Sequence, residues 1–188
     1  MAINCRIIQV EFKGLRPLMF DRYAGDNNTK LPVADKMYLS PDRHLIMPAL
    51  NIFSLLSAEN TPSVCRQFLG RQGKTIGLGI KSYTTIQPDD IAIEDDNGPI
   101  LFSGFNEQIE VRHHVARLKA GIPNPKERPR LNLPWWIRFQ VIYIPNTLCT
   151  ESNLRQAYEY GGILGLGTFR PFFGRYEVSR WDAKDGTY

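Results

Sequence analysis

Glycines and arginines cluster near the carboxyl end of the 188-residue chain, in a pattern that suits phosphate binding. Four glycines, the first at Gly161 and the last at Gly167, fall within seven residues. Glycine adds nothing to a core, but it allows positive φ and lets another chain approach its backbone. Exposed amides beside cations favour an anion. A helix cap with a tight helix–sheet contact is the alternative, and it would explain only the first two glycines. The predicted phosphate site comprises Gly162, Gly165, Gly167, Arg170 and Arg175.

A basic, proline-rich segment in the middle of the chain is the second candidate. Between Val111 and Arg138 it has seven cations and one acidic residue, Glu127, whereas the whole chain carries a net charge of only +4. An ordinary solvated face is the alternative interpretation. Cations that hold phosphates, combined with aromatics that stack on bases, are typical of proteins that bind single-stranded nucleic acid. The predicted clamp comprises Arg112, Arg117, Lys119, Lys126, Arg128 and Arg130, with Trp136 as the stacking residue.

Other chemistry has weaker support in the sequence. His113 and His114 are adjacent in a predicted strand, so their side chains face opposite sides and cannot chelate one metal together. Three scattered cysteines suit neither a disulfide framework nor a zinc site. We therefore expect no metal and no cofactor. A metal-independent endoribonuclease, with one of the two histidines as general base, stays open as a third possibility.

The composition indicates one folded domain over residues 1–188, because 43% of the residues are hydrophobic and 22% are charged. No apolar run approaches the roughly 20 residues that cross a bilayer. The first residues lead directly into a charged, alternating strand pattern, which does not fit a signal peptide. We expect a soluble, cytoplasmic protein without a membrane partner.

The order of predicted elements indicates the fold. Strands are predicted at 3–12, 76–86, 108–115, 135–144 and 176–181, and helices from Pro48, from Pro62 and after a cap at Thr150 or Ser152. Prolines between 119 and 134 argue against a regular helix or a central strand there. The resulting order predicts an α+β, ferredoxin-like fold with a split βαβ core and a large β-rich insertion between the middle strands. The core would cover about 1–87 and 134–181, and the insertion about 88–133.

Three motifs resemble those of the RAMP superfamily, ferredoxin-like RNA-binding proteins that form the backbones of CRISPR effector complexes. A first strand leads into Gly14-Leu15-Arg16-Pro17-Leu18, and a helix follows Leu45-Ile46-Met47-Pro48-Ala49-Leu50. The stretch from Gly161 to Arg170 is similar to the family's glycine-rich loop before the last strand. The chain is also similar to small phage-encoded proteins in which an Arg-Pro pair and Gly-Arg-Tyr-Glu-Val follow the glycines.

The resemblance implies that the insertion forms a thumb-like hairpin that clamps RNA and touches a neighbouring subunit. The predicted function is a non-catalytic binding module for single-stranded nucleic acid, RNA favoured over DNA, in a ribonucleoprotein or CRISPR-like complex for antiviral defence. Its partners would be that strand and protein subunits, with a homo-oligomer open. The alternative is a phage-encoded structural subunit that docks a neighbour through Phe172, Phe173 and the tryptophans. Nucleic-acid binding requires the glycine-rich stretch and the basic segment to converge on one groove.

Overall fold

The structure is a computed structural model that describes residues 2–26, 28–59, 62–117 and 123–187, without the side chains of 116, 117, 123 and 124. Its α-helices are α1 (Ala49–Ser57), α2 (Val64–Gln67), α3 (Gly73–Tyr83) and α4 (Glu151–Leu164), with 3-10 turns at Ala34–Lys36 and Gly70–Gln72. Its strands are β1 (Asn4–Gly14), β2 (Leu18–Met19), β3 (Ile46–Pro48), β4 (Thr84–Gln87), β5 (Asp90–Asp95), β6 (Gly98–Pro99), β7 (Ile109–Arg117), β8 (Pro123–Leu131), β9 (Trp136–Tyr143) and β10 (Tyr176–Thr187). None of the helices in these ranges has the length and apolar content to cross a bilayer.

The main sheet is antiparallel, and its central strands lie in the order β10, β1, β9, β4. If these four core strands are numbered along the chain, their order across the sheet is fourth, first, third, second. This is the order of a ferredoxin-like fold. Alternate residues of β1 and β9 are buried on one face, where the ring of Tyr158 from α4 lies 5.9 Å from Phe12 and 6.0 Å from Phe139. The predicted α+β, ferredoxin-like fold is confirmed.

Residues 73–83 differ from the sequence prediction, which placed a strand over 76–86. They form α3, and the chain becomes extended only at Thr84, where β4 begins. Ile76 and Ile80 are buried, and their spacing of four residues puts them on one face of the helix. The alternation of apolar residues with glycine also fits a strand. The sequence pattern alone therefore favoured the two-residue period of a strand over the period of a helix.

A separate three-stranded sheet contains a hairpin, formed by β7 and β8. Here β8 lies between β7 and β2, so the prediction that its prolines exclude a central strand was wrong. Pro129 lies opposite Val111, but its carbonyl accepts from the amide of Phe20, on the side away from β7. Its missing N–H therefore costs no bond in the β7–β8 ladder. Because β5 pairs with β9 in the main sheet, the described part of the predicted insertion that forms the hairpin is β7 and β8 alone.

Candidate nucleic-acid interface

The glycine loop, which we define as residues 165–175, meets the hairpin. The guanidinium carbon of Arg128 lies 4.5 Å from the ring centroid of Phe169, and the ring of His114 lies 5.2 Å from the same ring. The amide of Thr168 donates to the carbonyl of Met19 at 3.0 Å, and Met19 pairs with β8. The two regions that the sequence singled out therefore converge, and Phe172 and Arg175 of the loop are exposed.

The amides of the predicted phosphate site differ in what they already bind. The Gly165 amide donates to the carbonyl of Gly161 at 2.7 Å and closes α4. Gly167 is exposed, and its amide has no partner within the described residues. Its φ is +72°, and a Cβ there would lie 2.2 Å from the Met19 carbonyl oxygen, so only glycine fits. Gly167 is therefore the glycine of the predicted set that presents a free amide.

Gly162 does not belong to the loop. It lies within α4 and is buried, and a Cβ on it would lie 2.2 Å from the carbonyl oxygen of Tyr176. Helical amides are bonded to the carbonyl four residues earlier, so the Gly162 amide is not available to a phosphate. The alternative explanation, a tight contact between helix and sheet, accounts for this glycine.

The two arginines of the loop carry charge without a carboxylate partner in the described residues. Arg170 is half-buried, and its Nη2 makes one long hydrogen bond, 3.4 Å, to the carbonyl of Pro62. This partial burial lowers the pKa of the Arg170 guanidinium. Arg175 is exposed, and its carbonyl accepts from the amides of Leu15 and Arg16. Both guanidinium groups are therefore free to bind an anion.

Most of the hairpin arginines are engaged within the protein. Arg128 is only 6% exposed, and its Nη2 lies 2.6 Å from Oδ2 of Asp21. Arg130 pairs with Glu110, and Arg112 lies 3.2 Å from the same carboxylate. These three side chains fix the hairpin and differ from the free clamp that the sequence predicted. Three buried nitrogens without a partner in the described residues all belong to the hairpin: His114 Nδ1, Arg128 Nη1 and Arg130 Nε.

A groove of about 820 Å³ lies between the hairpin and residues 21–36, and Lys126 lines it. Of the other predicted cations, Arg117 has only its backbone described, at the end of β7, and Lys119 lies outside the described residues. The Nζ of Lys36 donates to the carbonyl of Glu127 at 2.6 Å, which joins the two walls. The cations of the groove include three that sequence reasoning missed: Arg22, Lys30 and Lys36. The signal that could have identified them is their proximity in the sequence, because the three cations lie within fifteen residues.

The tryptophans lie away from this groove. Trp135 is fully buried, and its Nε1 donates to the carbonyl of Arg16 at 3.0 Å. Trp136 is half-buried on the outer face of the main sheet, in a hollow that it shares with Arg138 and three acidic residues, Glu94, Asp95 and Asp96. The structure therefore does not bring Trp136 together with the loop and the hairpin. The exposed aromatic at the loop is Phe172, which is 72% exposed.

The histidines are separated as their strand predicts. His113 is exposed, and its Nδ1 lies 3.3 Å from a carboxylate oxygen of Glu127. His114 lies against the rings of Phe169 and Phe173, and burial followed by the charge of Arg128 lowers its pKa. A neutral imidazole fits this position among rings and arginines. The described part of the chain holds no group of three or more metal-ligating His, Cys, Asp or Glu side chains.

Known proteins resemble this chain in structure. No protein-family model and no curated protein matches it. One matching solved structure is a chain of the cryo-EM structure of the Type III-B Cmr-beta bound to cognate target RNA, with a TM-score of 0.63 and 11% sequence identity. The match covers 96% of this chain and 61% of that chain, so this chain spans less than two thirds of its neighbour. At such low identity, the likeness establishes a shared fold.

Proposed function

We propose that this chain is a non-catalytic module that binds single-stranded nucleic acid, RNA in preference to DNA. The observation that carries the proposal is the junction of glycine loop and hairpin, where the ring of Phe169 lies under Arg128 and beside His114. A groove whose described lining includes four cations opens on one side of the hairpin, and the adjoining loop has two arginines without a carboxylate partner among the described residues. A strand that followed both would meet cations along its phosphates.

The charge balance of the groove favours a strand bound by its backbone. Among the described residues that line it, the four cations Arg22, Lys30, Lys36 and Lys126 outnumber the three carboxylates of Asp21, Asp26 and Glu127. The carboxylate of Asp21 is bonded to Arg128, which leaves less negative charge to oppose a phosphate. Such contacts release counterions and carry little base information.

The shared fold and the motif resemblance support a place in a ribonucleoprotein related to CRISPR effector complexes. The neighbour of known structure comes from a Type III-B Cmr complex bound to target RNA. We infer that RNA and protein subunits of such a complex are the partners of this chain. The hairpin is the part that would contact both the strand and the next subunit.

Fluorescence anisotropy with labelled RNA of about 20 to 40 nucleotides, a few module site sizes, tests the proposal. We expect binding at low salt, with an affinity that falls steeply as salt is raised, and weaker binding to DNA of the same sequence. Absence of binding to RNA and DNA at low salt would refute it.

Size-exclusion chromatography with and without nuclease treatment separates RNA binding from the structural alternative. If nucleic acid mediates association, the nuclease-treated protein elutes later and its absorbance ratio at 260 and 280 nm falls. Assembly that persists after nuclease treatment, without measurable RNA affinity, would favour a docking protein that uses Phe172.

A further inference from the structure

A second, smaller cleft lies between the glycine loop and α1, and we call it the loop cleft. Its volume is about 250 Å³, with Asn51 and Ser54 of α1 in one wall and Gly167, Thr168 and Arg170 in the other. Asp21 lines both this cleft and the larger groove, so the two adjoin. A cavity of about 150 Å³ holds benzene, so the loop cleft has room for one nucleobase.

The polar groups of the loop cleft are largely unused by the protein. The Nδ2 of Asn51 makes only a weak contact, 3.8 Å, with the sulfur of Met47, and its Oδ1 has no partner in the described ranges. The hydroxyls of Ser54 and Thr168 likewise lack a partner among the described residues. Convergent, unpaired polar groups in a cleft are typical of a ligand site.

One end of the loop cleft favours an anion. Arg170 is a partly desolvated cation without a carboxylate partner in the described residues, and the free amide of Gly167 lines the same wall. A phosphate there would neutralise the guanidinium and accept from the amide. The half-buried ring of Tyr38 also lines the cleft, which adds an aromatic surface for a base.

We propose that the loop cleft holds one unstacked nucleotide of the bound strand, with its phosphate at Arg170 and Gly167 and its base edge on Asn51. The asparagine amide offers a donor and an acceptor side by side, which can bond the edge of a base with two hydrogen bonds. This inference rests on the proposed function and adds a base preference at one position to binding that otherwise follows the backbone.

The test compares the affinities of A, C and U homo-oligomers of about 20 nucleotides for the wild-type protein and for Asn51→Ala. We expect the wild type to prefer one oligomer by about fivefold or more, and the variant to bind all three within about twofold. Asn97→Ala is the matched control, because Asn97 is exposed in the turn between β5 and β6 and lines neither cleft nor groove. It should keep the wild-type preference.

The outcomes separate this inference from the proposed function. Tight but equal binding of the three oligomers by the wild type, or an unchanged preference in Asn51→Ala, overturns the nucleotide subsite and leaves RNA binding intact. Displacement of the oligomer by an equimolar nucleoside monophosphate would show that the loop cleft takes free nucleotides, and would also overturn it. Absence of binding to every oligomer refutes the proposed function itself.

Discussion

The outer face of the main sheet and the junction of loop and hairpin each combine aromatic rings with arginine, yet they differ in free charge. On the sheet, Nε of Arg138 lies 2.5 Å from Oε2 of Glu11, and Nη1 pairs with Glu94. Hydrogen bonds to Glu11 raise the pKa of Arg138, which reflects this pairing. At the loop, Arg170 and Arg175 have no carboxylate partner in the described residues.

This difference shows that the partners of a cation, rather than the number of cations, decide which surface can bind a polyanion. Trp136 has Arg138 beside it, but Glu94, Asp95 and Asp96 surround the same hollow and would repel phosphate. Phe172 stands between Arg170 and Arg175 in the sequence of the glycine loop, and its side chain is exposed. We therefore expect RNA at the loop and not on the sheet.

The largest effect should come from removing the free arginines. Arg170→Ala combined with Arg175→Ala should weaken RNA binding by at least about tenfold for each guanidinium that contacts a phosphate. The slope of log affinity against log salt should become shallower, because fewer counterions are released. Arg138→Ala is the matched control and should change affinity by less than about twofold. A larger loss of affinity in Arg138→Ala than in the double variant, measured by anisotropy titration, would place the binding site on the sheet.

A smaller effect should follow from truncating the exposed aromatic. A base stacked on a ring contributes about 1–3 kcal/mol, so Phe172→Ala should weaken binding by about fivefold to 100-fold with an unchanged salt slope. Trp136→Ala, the control on the other surface, should bind as the wild type does. Equal losses of RNA affinity in the two variants would contradict the proposed difference between loop and sheet. If Phe172→Ala loses self-association but keeps its RNA affinity, this ring belongs to a protein contact.

The smallest effect concerns stability and pH. Because the pKa of His114 in the folded chain is lowered below about 6.5, the unfolded chain binds more protons once the pH falls through that value. His114 therefore destabilises the fold as the pH falls from about 7 towards 5. His114→Phe keeps a ring against Phe169 and removes the titration, so its melting temperature should fall less over this range. Thermal melts of both proteins between about pH 7 and about pH 5 measure this difference, and an equal fall in the two would contradict it.

Much of the fold could be predicted because it depends on local periodicity. Alternation along β9 puts Ile137, Phe139 and Val141 on one face and Trp136 on the other, and their burial agrees with this pattern. The strand prediction for residues 76–80 was wrong because the period of a helix and the period of a strand both fit their sequence. Leu78, which a strand would bury with Ile76 and Ile80, is 54% exposed in α3. Packing against the rest of the protein, rather than the local pattern, decided this element.

The candidate site was predicted only in outline, because its details depend on contacts between distant residues. The run of hairpin cations suggested a free clamp, but Arg128 is paired with Asp21, 107 residues earlier in the chain. The two walls of the groove are joined by the bond from Lys36 to the carbonyl of Glu127, 91 residues away. The sequence pattern carries no local signal for either pair, so it could indicate charge but not which charges stay free.

The prolines of β8 limit how this strand could pair with another chain. Pro125 and Pro129 have the same parity along the strand, so their missing N–H groups fall on the edge that faces away from β7. On that edge, the carbonyl of Glu127 is already occupied by Lys36. An edge with fewer donors is a poor template for another strand. Beyond its pairing with β2, this side of β8 therefore offers few donors to a strand of another chain.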